Sequence, residues 1–292
     1  MHFQKRIFII IPIIAVAFGL FSCNGKKKSN EFPNSEMYDF AKPKVVNLPE
    51  ELDEISGIAY YAKDTSVFAI IDEDGTLFKV PLKNPHAFKQ WKFDKKRDFE
   101  DIVLMDSTFY VLVSNGDIET INFIGDSLQA FKSNFSDEKK NVTEFETLYK
   151  LPDSNLLIMM CKSCDQDDKK SISSISYAYN KDSVGLYNIY KVLNVQPILE
   201  KLGVEKHLKP SAGAINPVNG DFYLVSSIQK LIAVFAHDGT LKELYKLDPA
   251  LYKQPEGITF TPEGDLIISN ESAQDGFATL LLMKNKKKKA DK

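Results

Sequence analysis

Apolar residues in this chain fall in short runs that each end at a polar turn. Val67–Ile71 stops at Asp72-Glu73-Asp74-Gly75, and Phe109–Val113 stops at Ser114-Asn115-Gly116-Asp117. Leu156–Met160 stops at Cys161, Phe222–Val225 at Ser226-Ser227, and Leu266–Ile268 at Ser269-Asn270-Glu271. Short β-branched and aromatic runs bounded this way read as strands. Their near-continuous apolar character predicts burial on both faces.

A shorter phrase precedes each run: Glu54-Ile55-Ser56-Gly57, Asp98-Phe99-Glu100-Asp101, Glu144-Phe145-Glu146-Thr147, Pro210-Ser211-Ala212-Gly213 and Gln254-Pro255-Glu256-Gly257. The third residues stand at 56, 100, 146, 212 and 256, so the steps are 44, 46, 66 and 44 residues. Four-stranded propeller blades repeat at roughly 40–50 residues. The pattern therefore predicts an all-β, five-bladed β-propeller over residues 41–284, with a six-bladed ring as the alternative. The long step has a visible source: within 193–202, Val195, Ile198, Leu199 and Leu202 are helically spaced before Gly203, which predicts an inserted helix. The last repeat is short of a full blade. Lys44–Leu48 is strand-like and is expected to supply the missing outer strand, removing an open edge.

The amino terminus follows another logic. Lys5 and Arg6 precede an apolar run from Ile7 to Leu20, then Leu20-Phe21-Ser22-Cys23. This is the anatomy of a secretory signal over residues 1–22, and the closing tetrapeptide looks like a lipobox with lipidation at Cys23. The other reading, an uncleaved span, needs roughly 20 apolar residues, and this run is shorter and broken by Pro12. Residues 23–40 are expected to form a flexible tether and 285–292 a basic tail. Asn24, rather than Asp, after the cysteine favours the outer membrane, and the absence of an acidic cluster there favours its periplasmic face.

Removing residues 1–22 deletes two of the 37 basic residues and none of the 40 acidic ones, leaving a net charge of −5. The lysines that remain crowd the tails, so the folded middle is acidic, which argues against nucleic acid as a partner. Arg97 is the single arginine after the signal. Polyphosphorylated ligands are thereby disfavoured, since their pockets use several guanidinium forks.

Side chains two apart on a strand share a face, so Asp98 with Glu100, and Glu144 with Glu146, each present two carboxylates together. In a propeller the inner strands begin at the rim to which the second strands return. Glu54, Glu100, Glu146 and Glu256 are thus expected to meet Asp72, Glu73, Asn115, Asn270 and Glu271. Such a cluster calls for a hard cation, and Ca2+ takes 6–8 oxygen ligands; the other reading is hydrogen bonding to turn amides. Cys161 and Cys164 read as a disulfide in an oxidising envelope.

These phrases, in their order and spacing, resemble the SdiA-regulated family. The resemblance implies an exported or membrane-anchored propeller, distantly similar to NHL-repeat proteins, with bound calcium and no settled activity. Ala212, where three phrases carry Glu, departs from a symmetric carboxylate ring. No Gly-x-Ser-x-Gly elbow, phosphate loop or His-Glu-x-x-His occurs. Two functions follow. One is a calcium-binding module at the envelope for an unidentified protein or small molecule. The other is a metal-dependent hydrolase, similar in outline to lactone-cleaving propellers. There Glu100, Glu146, Glu256 and Asn270, with Glu73 and Glu271 nearby, would hold the ion, and Glu54 or Asp72 would act as base.

Overall fold

The computed structural model describes residues 35–135, 143–164, 173–182, 187–194, 198, 200, 208–272 and 276–287. Among them are five four-stranded antiparallel sheets. A first strand, β1 (Lys44–Asn47), is followed by β2 (Ile55–Tyr61), β3 (Ser66–Ile71), β4 (Thr76–Pro81) and β5 (Lys89–Lys92), which form blade 1. Blade 2 holds β6 (Phe99–Met105), β7 (Thr108–Val113), β8 (Ile118–Ile124) and β9 (Ser127–Ser133). Blade 3 holds β10 (Thr143–Lys150), β11 (Leu156–Cys164), β12 (Ser173–Asn180) and β13 (Tyr187–Asn194). Blade 4 holds β14 (Ala212–Ile215), β15 (Phe222–Ser226), β16 (Leu231–Phe235) and β17 (Leu241–Lys246). The last three strands, β18 (Pro255–Phe260), β19 (Leu266–Asn270) and β20 (Thr279–Met283), take β1 as their outer member, with Lys44 opposite Leu282 and Asn47 opposite Thr279.

The inner strands β2, β6, β10, β14 and β18 pack each against the next, and β18 packs back on β2. The ring is closed with five blades, so the six-bladed alternative falls. There is no single core. Five apolar clusters lie one between each pair of neighbouring blades, and each second strand feeds two of them by alternation. Val67 and Ala69 of β3 face blade 5, whereas Phe68 and Ile70 face blade 2. Tyr110 and Leu112 of β7 face blade 3, whereas Phe109, Val111 and Val113 face blade 1. That is why these runs are apolar at every position. Burying one such side chain contributes roughly 1.5–3 kcal/mol.

Three expected boundaries shift. Leu193 and Asn194 belong to β13, because they continue the ladder opposite Ser174 and Ser173. The inserted helix therefore begins later than 193: Ile198 and Glu200 are helical, with Ile198 fully buried against blades 3 and 4, and the rest of 195–207 lies outside the described residues. Residues 37–40, expected in a tether, belong to the propeller, since Met37, Tyr38 and Phe40 fill the cluster between blades 4 and 5. Tyr38 Oη donates to the Gly264 carbonyl at 2.6 Å. The tail starts later than 285, because Asn285 is buried and the Lys286 amide donates to the Met37 carbonyl at 2.9 Å.

Candidate functional site

Each inner strand starts at one end of the central channel, and four of the five start with a ladder irregularity. Phe99 pairs with Val113 but Asp101 pairs with Leu112, leaving Glu100 as the extra residue. Glu146 is skipped in the same way between Phe145 and Thr147, and Glu256 between Pro255 and Gly257. Ser56 and Gly57 fall in the irregular stretch of β2. A β-bulge leaves one residue out of the ladder and re-aims its side chain, here into the channel. Blade 4 pairs Ala212 with Val225 and Gly213 with Leu224 in unbroken register. The phrase that lacks Glu is the one that lacks the bulge.

Neighbouring inner strands approach so closely here that a Cβ on Gly57 would stand 2.6 Å from the Asp101 Cα. Asp101 fastens two blades. One of its carboxyl oxygens accepts from the Ile102 amide and the other from the Leu148 amide, both at 2.8 Å. Complete burial pushes this carboxyl well above the usual range against those two bonds. Nearer the rim the backbones are stitched circumferentially. The Asp72 amide donates to the Glu54 carbonyl (3.1 Å) and the Phe99 amide to the Asp72 carbonyl (2.8 Å). The Ser114 amide donates to the Asp98 carbonyl (2.9 Å) and the Phe145 amide to the Ser114 carbonyl (2.8 Å).

The result is a cavity of about 460 Å³ lined by Asp72, Asp98, Glu100, Glu144, Glu146, Glu256 and Glu271, with Ser56, Ser211, Ser227, Ile228, Gln254, Lys162 and Lys230. Its charge is unevenly compensated. On the blade 3 side Lys162 pairs with Glu146 and, at 3.2 Å, with Glu144. Across the mouth Asp72, Asp98 and Glu100 face one another. Burial, then the neighbouring charges of Asp98 and Asp72, pushes Glu100 up to about 9. Burial and the hydrogen bond to Asp98 push Asp72 up to about 7. For Asp98 burial acts upward too, but the hydrogen bonds it accepts from Asp72, Ser114 and Glu100 outweigh it and hold the group low. Asp98 is thus the acceptor of a cluster whose burial favours the protonated form, with the charge of Lys162 acting against it. Glu271 is raised to about 7 by burial and by the charges of Glu256 and Glu54, and its Oε2 accepts from Gln254 Nε2 at 3.0 Å. Glu256 is raised by burial, opposed by hydrogen bonds from Ser227 and Ser211.

Asp72, Glu100, Glu146, Glu256 and Glu271 are therefore gathered as the strand pattern predicts. Four other expected residues are not. Glu54 is exposed on the rim and does not line the cavity. Glu73 is outside it, paired with Lys96. Asn115 is exposed and caps its own turn, its Oδ1 accepting from the Asp117 amide at 3.0 Å. Asn270 lies behind the wall, where its Nδ2 donates to the Leu251 carbonyl at 2.9 Å. Lys162, Lys230, Ser211 and Ser227 were not foreseen. A signal existed for two of them: Lys162 lies just past the apolar part of β11 and Ser227 directly follows β15, as Asp72 and Glu271 follow β3 and β19. Arg97 is held outside the mouth by Asp117 (2.5 Å) and Glu119 (3.1 Å). Cys161 is disulfide-bonded; the side chain of Cys164 lies outside the described residues.

The all-oxygen donor set of Asp72, Asp98, Glu100, Glu256 and Glu271 has the chemistry of a hard-cation site. Among the described residues, however, no three carboxylate, His or Cys groups are drawn together closely enough to hold a metal. The donors fit the ion in kind but are not drawn together around one point.

At the far end of the channel the same strands close in apolar character. A cavity of about 710 Å³ there is lined mainly by Ile58, Tyr60, Leu104, Leu148, Tyr149, Ile215, Pro217 and Phe260.

Fold and cavity together define a five-bladed β-propeller with an acidic mouth. No family model matches the chain, and no curated protein does. Its structural neighbours are β-propeller proteins. A luciferin-regenerating enzyme is 12% identical, with 84% of this chain and 96% of that one covered at a TM-score of 0.50. The calcium-binding protein regucalcin from Agrobacterium tumefaciens is 10% identical, with 86% and 95% covered at 0.47. Virginiamycin B lyase from Staphylococcus aureus is 12% identical, with 82% and 73% covered at 0.43. At these identities the likeness is one of fold.

Proposed function

We propose that this is an envelope-anchored binding propeller whose acidic mouth takes up a hard divalent cation, Ca2+ by its donor chemistry, and so presents a site for a protein or small-molecule partner. The observation that supports it is the set of three bulges, which turn Glu100, Glu146 and Glu256 toward one cavity where burial and neighbouring carboxylates push Glu100 upward. Asp72, Asp98 and Glu100, with Glu256 and Glu271 across the mouth, would hold the ion. Its double charge would replace the shared protons and order the partner-facing rim. Glu144 and Glu146 already share the single charge of Lys162.

Anchoring rests on the signal-like residues 1–22 and the lipobox-like cysteine at position 23, with the outer membrane and its periplasmic face favoured. The resemblance of the repeated phrases to those of the SdiA-regulated propellers supports the same reading.

Calorimetry at pH 7.5 in buffers of different ionisation enthalpy tests the cation. Binding of Ca2+ is expected with release of protons, and Glu100→Gln is expected to reduce both the affinity and that release. Absence of binding heat together with melting indifferent to chelator would sink the proposal.

Asp72 favours a second reading, a metal-dependent hydrolase, because a carboxyl titrating near 7 in a cleft suits a general base. A lactone and phosphoester panel run with Asp72→Asn decides it. Turnover that survives the substitution removes Asp72 as the base.

A further inference from the structure

The two mouths of the channel differ in what leaves the molecule beside them. Inner strands run from the acidic rim to the apolar one, so the turns that follow them, among them 216–221 and 261–265, frame the apolar end. The described chain begins at this end. Tyr38 bonds the Gly264 carbonyl in one of these turns, and Asn216 Nδ2 in the other donates to Tyr38 Oη at 2.8 Å. The described residues also finish here. Lys286 Nζ donates to the Ser35 carbonyl, and Lys287 pairs with Glu36 at 3.1 Å. The lysine run 286–289 thus starts beside the point where residues 1–34 join the propeller.

We infer that the apolar mouth is the membrane-facing surface of the propeller, seated on an anionic lipid bilayer, and that the acidic mouth points away from it. The inference rests on the anchoring reading of Cys23. Residues 24–34 span at most about 40 Å when fully extended, so the lipid holds the attached face near the bilayer. The terminal lysines add attraction to anionic headgroups at that rim and fade within a Debye length of it. Opposite them, the carboxylates of the acidic mouth are repelled by the same headgroups. Both contributions turn the molecule the same way, against the repulsion of Asp153, Asp221, Glu263 and Asp265 at the apolar end, of which Asp221 and Asp265 are paired with Lys242 and Lys284.

Two exposed apolar residues report on the two faces. Val218, 56% exposed, sits in the 216–221 turn, and Ile228, 59% exposed, lines the acidic cavity. The full chain, processed and lipidated, would be placed in phosphatidylethanolamine–phosphatidylglycerol vesicles containing a nickel-chelating lipid. Spin labels on Val218→Cys and Ile228→Cys would be compared against an unlabelled-variant control. The label at 218 is expected to relax several-fold faster than the label at 228. Equal relaxation, or faster relaxation at 228, in a chain that carries its acyl mass on Cys23 overturns the orientation alone. A chain without that mass that stays off the vesicles overturns the anchoring reading, and the orientation with it.

Discussion

Five strands build both ends of one channel, yet one end gathers seven acidic side chains and the other a rim of aliphatic and aromatic ones. Composition of the strands explains half of the contrast: Ile58-Ala59-Tyr60, Ile102-Val103-Leu104 and Ile258-Thr259-Phe260 are what remains once the acidic phrase has passed. Geometry explains the rest. An unbroken strand would alternate its side chains between the two flanking blades. The bulges at Glu100, Glu146 and Glu256 break that alternation at the acidic end only, and so place carboxylates where an ordinary ladder would place none. Blade 4, with no bulge, supplies hydroxyls from Ser211 and Ser227 instead, and these bond Glu256. The difference between the two mouths rests on one extra residue in each of three inner strands.

The comparison breaks hardest at the junction between the halves. Asp101→Leu would leave the Ile102 and Leu148 amides unpaired in a buried seam. A loss of about 3–5 kcal/mol is expected, seen as a drop of roughly 10 °C in Tm. A change below 1 °C would show that the seam is held by packing alone.

A smaller effect comes from acidity. Glu100 has a folded pKa raised from 4.5 to about 9. Below that interval both states are protonated. Within it the unfolded chain sheds the proton while the folded chain keeps it, so stability falls as pH rises. In chelator the wild type is expected to lose about 1–2 kcal/mol across this window, discounted for the solvent-open mouth. Glu100→Gln is expected to flatten the slope, which urea titrations at successive pH values would measure. An unchanged slope would place the raised carboxyl elsewhere.

The finest test concerns the resident ammonium. Lys162→Gln frees Glu144 and Glu146 and should tighten Ca2+ binding by about three- to tenfold at low salt, the scale of one nearby charge in a partly solvated mouth. Weaker binding in the variant would make Lys162 part of the site rather than its competitor.

Much of the fold was legible because burial on both faces leaves an unambiguous mark: apolar runs without alternation, recurring once per blade. The closing role of Lys44–Leu48 followed from a count of strands. The extent of the ordered termini did not follow, since Met37, Tyr38 and Phe40 are three apolar residues in a polar neighbourhood, and only their partners across blades 4 and 5 give them a place. At the site, the rule that second strands end where inner strands begin gathered Asp72, Glu100, Glu146, Glu256 and Glu271 at one mouth, but it could not foresee the bulges that aim three of them inward, nor separate residues that line the cavity from those one step round a turn. Glu73 and Asn270 are each a single residue from a lining position, and that step turns a side chain outward or behind the wall. Lys162 was not legible because a lone lysine carries no oxygen-donor signal, and only the cavity brings it beside Glu144 and Glu146.

The outer strand of the last blade has a consequence for assembly. Residue 44 is among the first parts of the ordered chain to be made, and its partner, residue 282, is among the last. Until β20 arrives, β1 has no ladder to join, and the growing protein is an arc with two raw edges instead of a ring. Contacts this distant in sequence form late and slowly, so the chain must be kept from pairing with its neighbours throughout synthesis. A product cut short before Thr279 would stay an arc.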